Sequence, residues 1–108
     1  MPIIKANTSI VTQINVFTVP SPDRQQPLIE FLAEAARVAR EVPGWLSASL
    51  HRSLDGTRVV NYAQSENMDA ARNIIERLRE GGFLARNTAL GEAHPGLYEV
   101  VQTLDRDA

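Results

Sequence analysis

An α+β sandwich is the fold class the sequence predicts: one antiparallel sheet of four strands with two helices on one face. Three observations predict it. Runs rich in β-branched residues are separated by segments whose apolar residues recur at helical spacing. These runs follow one another as strand, helix, strand, strand, helix, strand. The 108 residues suffice for a single domain, 1–108 with a core of about 9–104, that buries roughly 65% of its unfolded surface without covalent staples.

Residues 9–19 carry Ile10, Val11, Ile14, Val16, Phe17 and Val19 with no Gly or Pro, and read as the first strand. Pro20-Ser21-Pro22-Asp23 ends it and opens a helix to about Glu41, with Leu28, Leu32, Ala35, Ala36 and Ala39 on one face. Pro27 belongs in its first turn, since an interior proline costs about 3 kcal/mol. Pro43-Gly44 stops the helix, and strands Leu46–Ser53 and Arg58–Glu66 form a hairpin through Leu54-Asp55-Gly56. Asn67 is the expected N-cap of a second helix to about Arg79, with Met68, Ala71, Ile74, Ile75 and Leu78 as its buried stripe. Gly81-Gly82 breaks it, and Phe83–Leu90 supplies one or two further helical turns. His94-Pro95-Gly96 leads into a last strand, Leu97–Leu104. The order β-α-β-β-α-β is the split-βαβ plan of a ferredoxin-like sandwich.

Composition removes several classes of function. Without cysteine there is no disulfide, thiolate nucleophile or cysteine-bound metal. Thirteen acidic residues against eleven basic ones, the arginines scattered along helical segments, give no nucleic-acid footprint. Two histidines with no helical His-x-x-x-His pair give no metal-site pattern. No apolar run reaches the ~20 residues of a membrane span, and Met1-Pro2-Ile3-Ile4-Lys5 does not read as a signal peptide. A cytoplasmic protein without membrane contact is expected.

Assembly and chemistry both follow from which way the strand residues point. Two helices cover one sheet face, yet Ile10, Ile14, Val16, Val60 and Tyr62 line the other, so a homodimer is expected to cover it. On the helix side Asn61 and Ser65 sit between Val59 and Ala63. A carboxamide there joins a structural network or lines a polar-tipped pocket. A two-residue Asp55-Gly56 turn pairs Leu50 with Asn61 and turns His51 away. A three-residue Leu54-Asp55-Gly56 loop, with Gly56 left-handed, pairs Ser49 with Asn61 and brings His51 to the same face. Both suit the sequence; the second is favoured because it keeps Arg52 and Arg58 together on the other face. Ser65 reads as a small wall residue, with no base–acid partners around it. Trp45, the only tryptophan, reads as a core anchor over the first helix, and His94 as an exposed loop residue.

The series Val42-Pro43-Gly44-Trp45-Leu46, the hairpin, and Ser53-x-Asp55-Gly56-Thr57-x-Val59-Val60-Asn61-Tyr62-Ala63-Gln64 resembles the antibiotic biosynthesis monooxygenase family over about residues 9–104. The resemblance implies a dimeric α+β barrel. It also implies oxidation of a phenolic, anthrone or quinol aromatic of polyketide type by molecular oxygen, with neither metal nor flavin. It makes Asn61 and His51 the candidate catalytic pair. Asn15, Phe17, Ser49, Ser65 and Arg86 become candidate substrate-binding residues, Arg86 by allowing a one-residue slip or else as a solvated helix arginine. Two positions depart from the family pattern: Ser65 and Ala71 stand where a tryptophan and a tyrosine are usual, so the pocket is expected to be wider or filled from elsewhere.

A phenol of pKa near ~10 facing a histidine near ~6.5 leaves roughly 3.5 units, about 5 kcal/mol, to be recovered by stabilising the anion. Asn61 is suited to donate to that oxyanion. The rival readings are a non-catalytic aromatic-ligand-binding or accessory protein and, third, a haem-degrading monooxygenase. The last lacks an axial histidine among Ile74, Ile75, Arg77 and Leu78.

Overall fold

In a computed structural model, which describes residues 1–107, the chain runs β1 (Val11–Thr18), a single 3-10 turn (Pro22–Arg24), α1 (Gln25–Ala39), β2 (Trp45–Arg52), β3 (Arg58–Ser65), α2 (Met68–Glu80), α3 (Phe83–Leu90) and β4 (Glu92–Tyr98). The strands form one four-stranded sheet in the order β2-β3-β1-β4, antiparallel throughout. This is the predicted α+β sandwich. Pro27 falls in the first turn of α1, where its missing N–H is harmless. Asn67 caps α2, its Oδ1 accepting the Ala70 N–H at 2.9 Å. Among the described residues no helix is long and apolar enough to cross a membrane.

The sandwich is packed unevenly. Phe17, Leu28, Leu32 and Val59 form a core with essentially no exposure, flanked by Val19, Ile29, Leu50, Leu90 and Ala93. That core lies at the hairpin end of β1 and β3. Toward the other end the facing residues shrink to Ala35, Ala36, Ala39, Ala48, Ala63 and Ala71. Side chains this small do not fill the space between sheet and helices, and a cavity results.

Three expectations are corrected. The hairpin takes the register with Leu50 opposite Asn61 and His51 opposite Val60. The loop spans four residues, Leu54 to Thr57, closed by Ser53 N–H to Arg58 O at 3.0 Å. Thr57 is drawn into it by Asp55, whose carboxylate accepts the Thr57 N–H (3.0 Å) and hydroxyl (2.7 Å). Those bonds lower the Asp55 pKa to about 2. Gly56 is left-handed as expected, at φ +81°, but the extra loop residue shifts the pairing by one.

The last strand is Glu92–Tyr98, not Leu97–Leu104. Pro95 is accommodated because β4 is an edge strand. Opposite it, Asn15 supplies a substitute contact, its Oδ1 accepting the neighbouring His94 N–H at 3.1 Å. His94 is exposed, as expected, but in a strand rather than a loop.

The helix-free face is partly covered by the chain's own start. Gln64, fully buried, accepts the Ile3 N–H and donates to the Ile3 carbonyl, both at 2.7 Å, and donates to Thr12 Oγ1 at 3.3 Å. A side-chain amide thus grips the backbone of residue 3 as a neighbouring strand would. Ile14, Val16, Val60 and Tyr62 lie half-buried on the same face.

Gly44 joins α1 to the site end of the sheet. Its φ is +93°, its carbonyl accepts the Glu66 N–H at 2.8 Å, and a Cβ there would lie 2.5 Å from that of Ala70. Gly44→Ala is therefore expected to cost about 2–4 kcal/mol through backbone strain and overpacking. Thermal unfolding should register this as a loss of roughly 10–25 °C.

Candidate active site

Strand alternation sets Gln13, Asn15 and Phe17 of β1 against Ala63, Asn61 and Val59 of β3, on the side facing the helices. Asn15 and Asn61 are directly opposed. Asn61 borders an inner cavity with Trp45, Ser65, Ala71 and Ile74. Its Oδ1 is buried and has no hydrogen-bond partner among the described residues. Such an orphan typically costs about 1–3 kcal/mol, which a ligand or water able to donate to it recovers.

The inner cavity is small, about 30 Å³, and the Trp45 ring stands on its wall beside Ser65. A register shift between Trp45 and Ser47 inserts Leu46 as a bulge. That bulge brings Trp45 onto the cavity side, directly opposite Ser65. Trp45 thus lines the site as well as anchoring it. Among the described residues every side chain bordering this cavity is uncharged at neutral pH, and none is a histidine or carboxylate.

Beside it a larger cleft of about 440 Å³ opens between β1, β4, α2 and α3. Asn15 and Gln13 form its floor, with Ile75, Leu84 and Leu97 as apolar walls and Arg79 at its border. Arg79 is half committed already, paired with Glu76 one turn earlier on the helix.

The remaining sequence candidates fall elsewhere. His51 and Ser49 lie on the helix-free face, Ser49 Oγ and His51 Nε2 2.9 Å apart, and the His51 ring is 6.5 Å from that of Tyr62. The one-residue register change removes His51 from the cavity, and with it the expected side-chain base. Phe17 belongs to the solid core and borders neither cavity. Arg86 is exposed and turned outward. Its guanidinium stacks over Phe83 and Phe31, 4.8 and 5.2 Å from the ring centroids, and donates to the Gly81 carbonyl at 3.2 Å. That contact caps the carboxyl end of α2. Ser65 and Asn15 do border the cavities. Gln13 is the wall residue the sequence reading overlooked, although its position two before Asn15 places it on the same face. Among the described residues no group of three or more His, Asp or Glu is gathered that could hold a metal ion.

Fold and cavities together define a small α+β sandwich protein with an amide-floored cleft between sheet and helices. Residues 10–85 match the model of the antibiotic biosynthesis monooxygenases, and the chain belongs to that family. It is 40% identical over 65 residues to tetracenomycin-F1 monooxygenase of Streptomyces glaucescens, a match spanning 59% of this chain and 57% of that protein. The chain thus matches little more than half the length of that curated relative. Among solved structures, SnoaB of Streptomyces nogalater, described as a cofactor-independent oxygenase, superposes with a TM-score of 0.78 at 26% identity, over 90% of this chain and 98% of that one. The ActVA-Orf6 monooxygenase of Streptomyces coelicolor, solved with nanaomycin D, gives 0.76 at 31% identity, over 87% and 89%.

Proposed function

We propose that this protein oxidises a phenolic aromatic of the anthrone or quinol type with molecular oxygen, without a cofactor. The observation that carries the reading is Asn61: a buried amide on an otherwise apolar wall, with one atom unpartnered, facing a cavity. For an anthrone, the ring methylene becomes a carbonyl. One atom of O₂ enters that carbonyl and the other leaves as water with the two methylene hydrogens. The substrate supplies all the electrons.

The first requirement is the substrate anion. With a phenol pKa near ~10, ionisation at pH 7 costs about 4 kcal/mol. An amide donor aimed at the oxyanion in a dry site contributes about 2.7–4 kcal/mol. The Asn61 Oδ1, the unpartnered atom, accepts from the neutral phenol O–H, and rotation of the carboxamide to turn its Nδ2–H inward lets it donate to the phenolate oxygen. Among the described residues no ionisable side chain borders the inner cavity, and in this reading the proton passes to solvent by way of the outer cleft.

The deciding experiment is oxygen uptake with metal removed, offered anthrones and naphthoquinols, with product mass read under labelled O₂. With an anthrone, uptake with one labelled oxygen in the quinone supports the reading; with a naphthoquinol, which loses two hydrogens while O₂ is reduced to hydrogen peroxide, uptake without label in the quinone does. Tight binding without uptake supports a second one, a non-catalytic aromatic-binding or accessory protein, which the uncharged cavity wall also favours.

The same reading includes a homodimer through the helix-free face, supported by Ile14, Val16, Val60 and Tyr62 on that face. Light scattering at micromolar concentration should give twice the 11.9 kDa chain mass; a monomer would refute this arrangement.

A further inference from the structure

The two cavities on the helix side meet at one residue. Gln13 borders the inner cavity with Asn61 and the outer cleft with Asn15. In the ladder it lies between Ala63 of β3 and Leu97 of β4. It is half-buried, and among the described residues its carboxamide has no side-chain hydrogen bond. Its flexible stem has only a methyl group beside it on the β3 side, so little holds the amide in one place.

Volume makes this residue decisive. The inner cavity, about 30 Å³, holds no more than ordered water. The outer cleft, about 440 Å³, is in the usual range for a small-molecule site, but Asn61 is not on its wall. Gln13 is on the wall of both, so it stands between a ligand in the outer cleft and the inner cavity that Asn61 lines.

We propose that Gln13 is the specificity-determining partition of this site, and that its displacement joins the two cavities into one cleft running from Trp45 to Leu97. The proposal rests on the cleft being the substrate site named above. The joined cleft crosses all four strands, about 14 Å at ~4.8 Å per inter-strand gap, the length of a linearly fused tricyclic or tetracyclic aromatic. A bicyclic ring fits the outer cleft alone and leaves the partition closed. Because the inner end carries amides and no charge, the ligand it suits bears neutral hydroxyl or carbonyl oxygens along one edge, reaching Asn15, Gln13 and Asn61 in turn. The displaced Gln13 amide becomes a further partner for those oxygens.

Fluorescence quenching or calorimetry with a dihydroxyanthraquinone and a dihydroxynaphthalene tests this without requiring turnover. Gln13→Phe, which wedges the partition shut, should weaken the tricyclic probe by about tenfold or more and leave the bicyclic one unchanged. Gln13→Ala, which removes the partition, should shift preference further toward the tricyclic probe and supports or refutes the idea independently if the phenylalanine variant fails to fold. Equal weakening of both probes, no response from either, or a wild-type protein that binds neither would overturn the proposal. If the affinities split as expected but no oxygen is consumed, the oxygenase reading falls and the partition stands.

Discussion

Replacing Asn61 by alanine is expected to lower kcat by about a hundredfold to a thousandfold, the ~2.7–4 kcal/mol that one oxyanion donor supplies. Affinity for the neutral substrate should change much less. The amide is matched to a charge that develops only on the way to the transition state, and interactions confined to that stage raise kcat rather than lower KM. Steady-state oxygen consumption, with binding followed separately by fluorescence, distinguishes the two. A parallel rise in KM with unchanged kcat would make Asn61 a ground-state contact only. The contrast is His51→Ala. That side chain is on the far face of the sheet, beside Ser49 and Tyr62, and its loss should leave kcat unchanged. A collapse of kcat in that variant would restore a histidine to the chemistry and overturn the account of proton loss to solvent.

The second large effect concerns stability. Phe17→Ala removes the largest side chain of the closed core formed with Leu28, Leu32 and Val59. Large-to-small changes of this kind cost about 3–5 kcal/mol, the transfer of the ring plus the void it leaves. Against a total of roughly 5–15 kcal/mol, that is a third or more of the stability. Denaturant unfolding should show a lower midpoint at unchanged slope. Thermal unfolding should shift by on the order of 20 °C. A change below about 1 kcal/mol would mean that Phe17 faces a compliant pocket, as the substrate-binding expectation for it had it.

These two residues show where a sequence can be read and where it cannot. Strand alternation is legible, and it sets Asn61 and Ser65 on the helix side, where the structure has them. The helices were legible from their stripes and from Asn67. The pairing of β2 with β3 was not. It depends on whether Thr57 belongs to the loop, a matter decided by two hydrogen bonds to Asp55, and one residue of slip moves His51 and Ser49 to the other face. β4 starts before His94-Pro95-Gly96 rather than after it, because an edge strand with Asn15 alongside tolerates the proline. The position of Trp45 beside Ser65 depends on the bulge at Leu46, which has no signature in composition or period. Phe17 was assigned to the wrong compartment because alternation gives the face of a sheet, not the position along it.

That division along the sheet separates two kinds of selection on the same chain. At the hairpin end, interlocked large side chains leave few acceptable replacements, and most changes there cost folding. At the other end six alanines border the small inner cavity, where the side chains interlock less. Substitutions far enough apart to share no partner combine nearly additively, so the ligand chamber can be enlarged, narrowed or reshaped while the framework stays intact. Filling it with larger apolar residues should even raise stability at the expense of activity. The alanine-lined half is therefore where lineages of this fold can acquire new substrates without first having to become more stable.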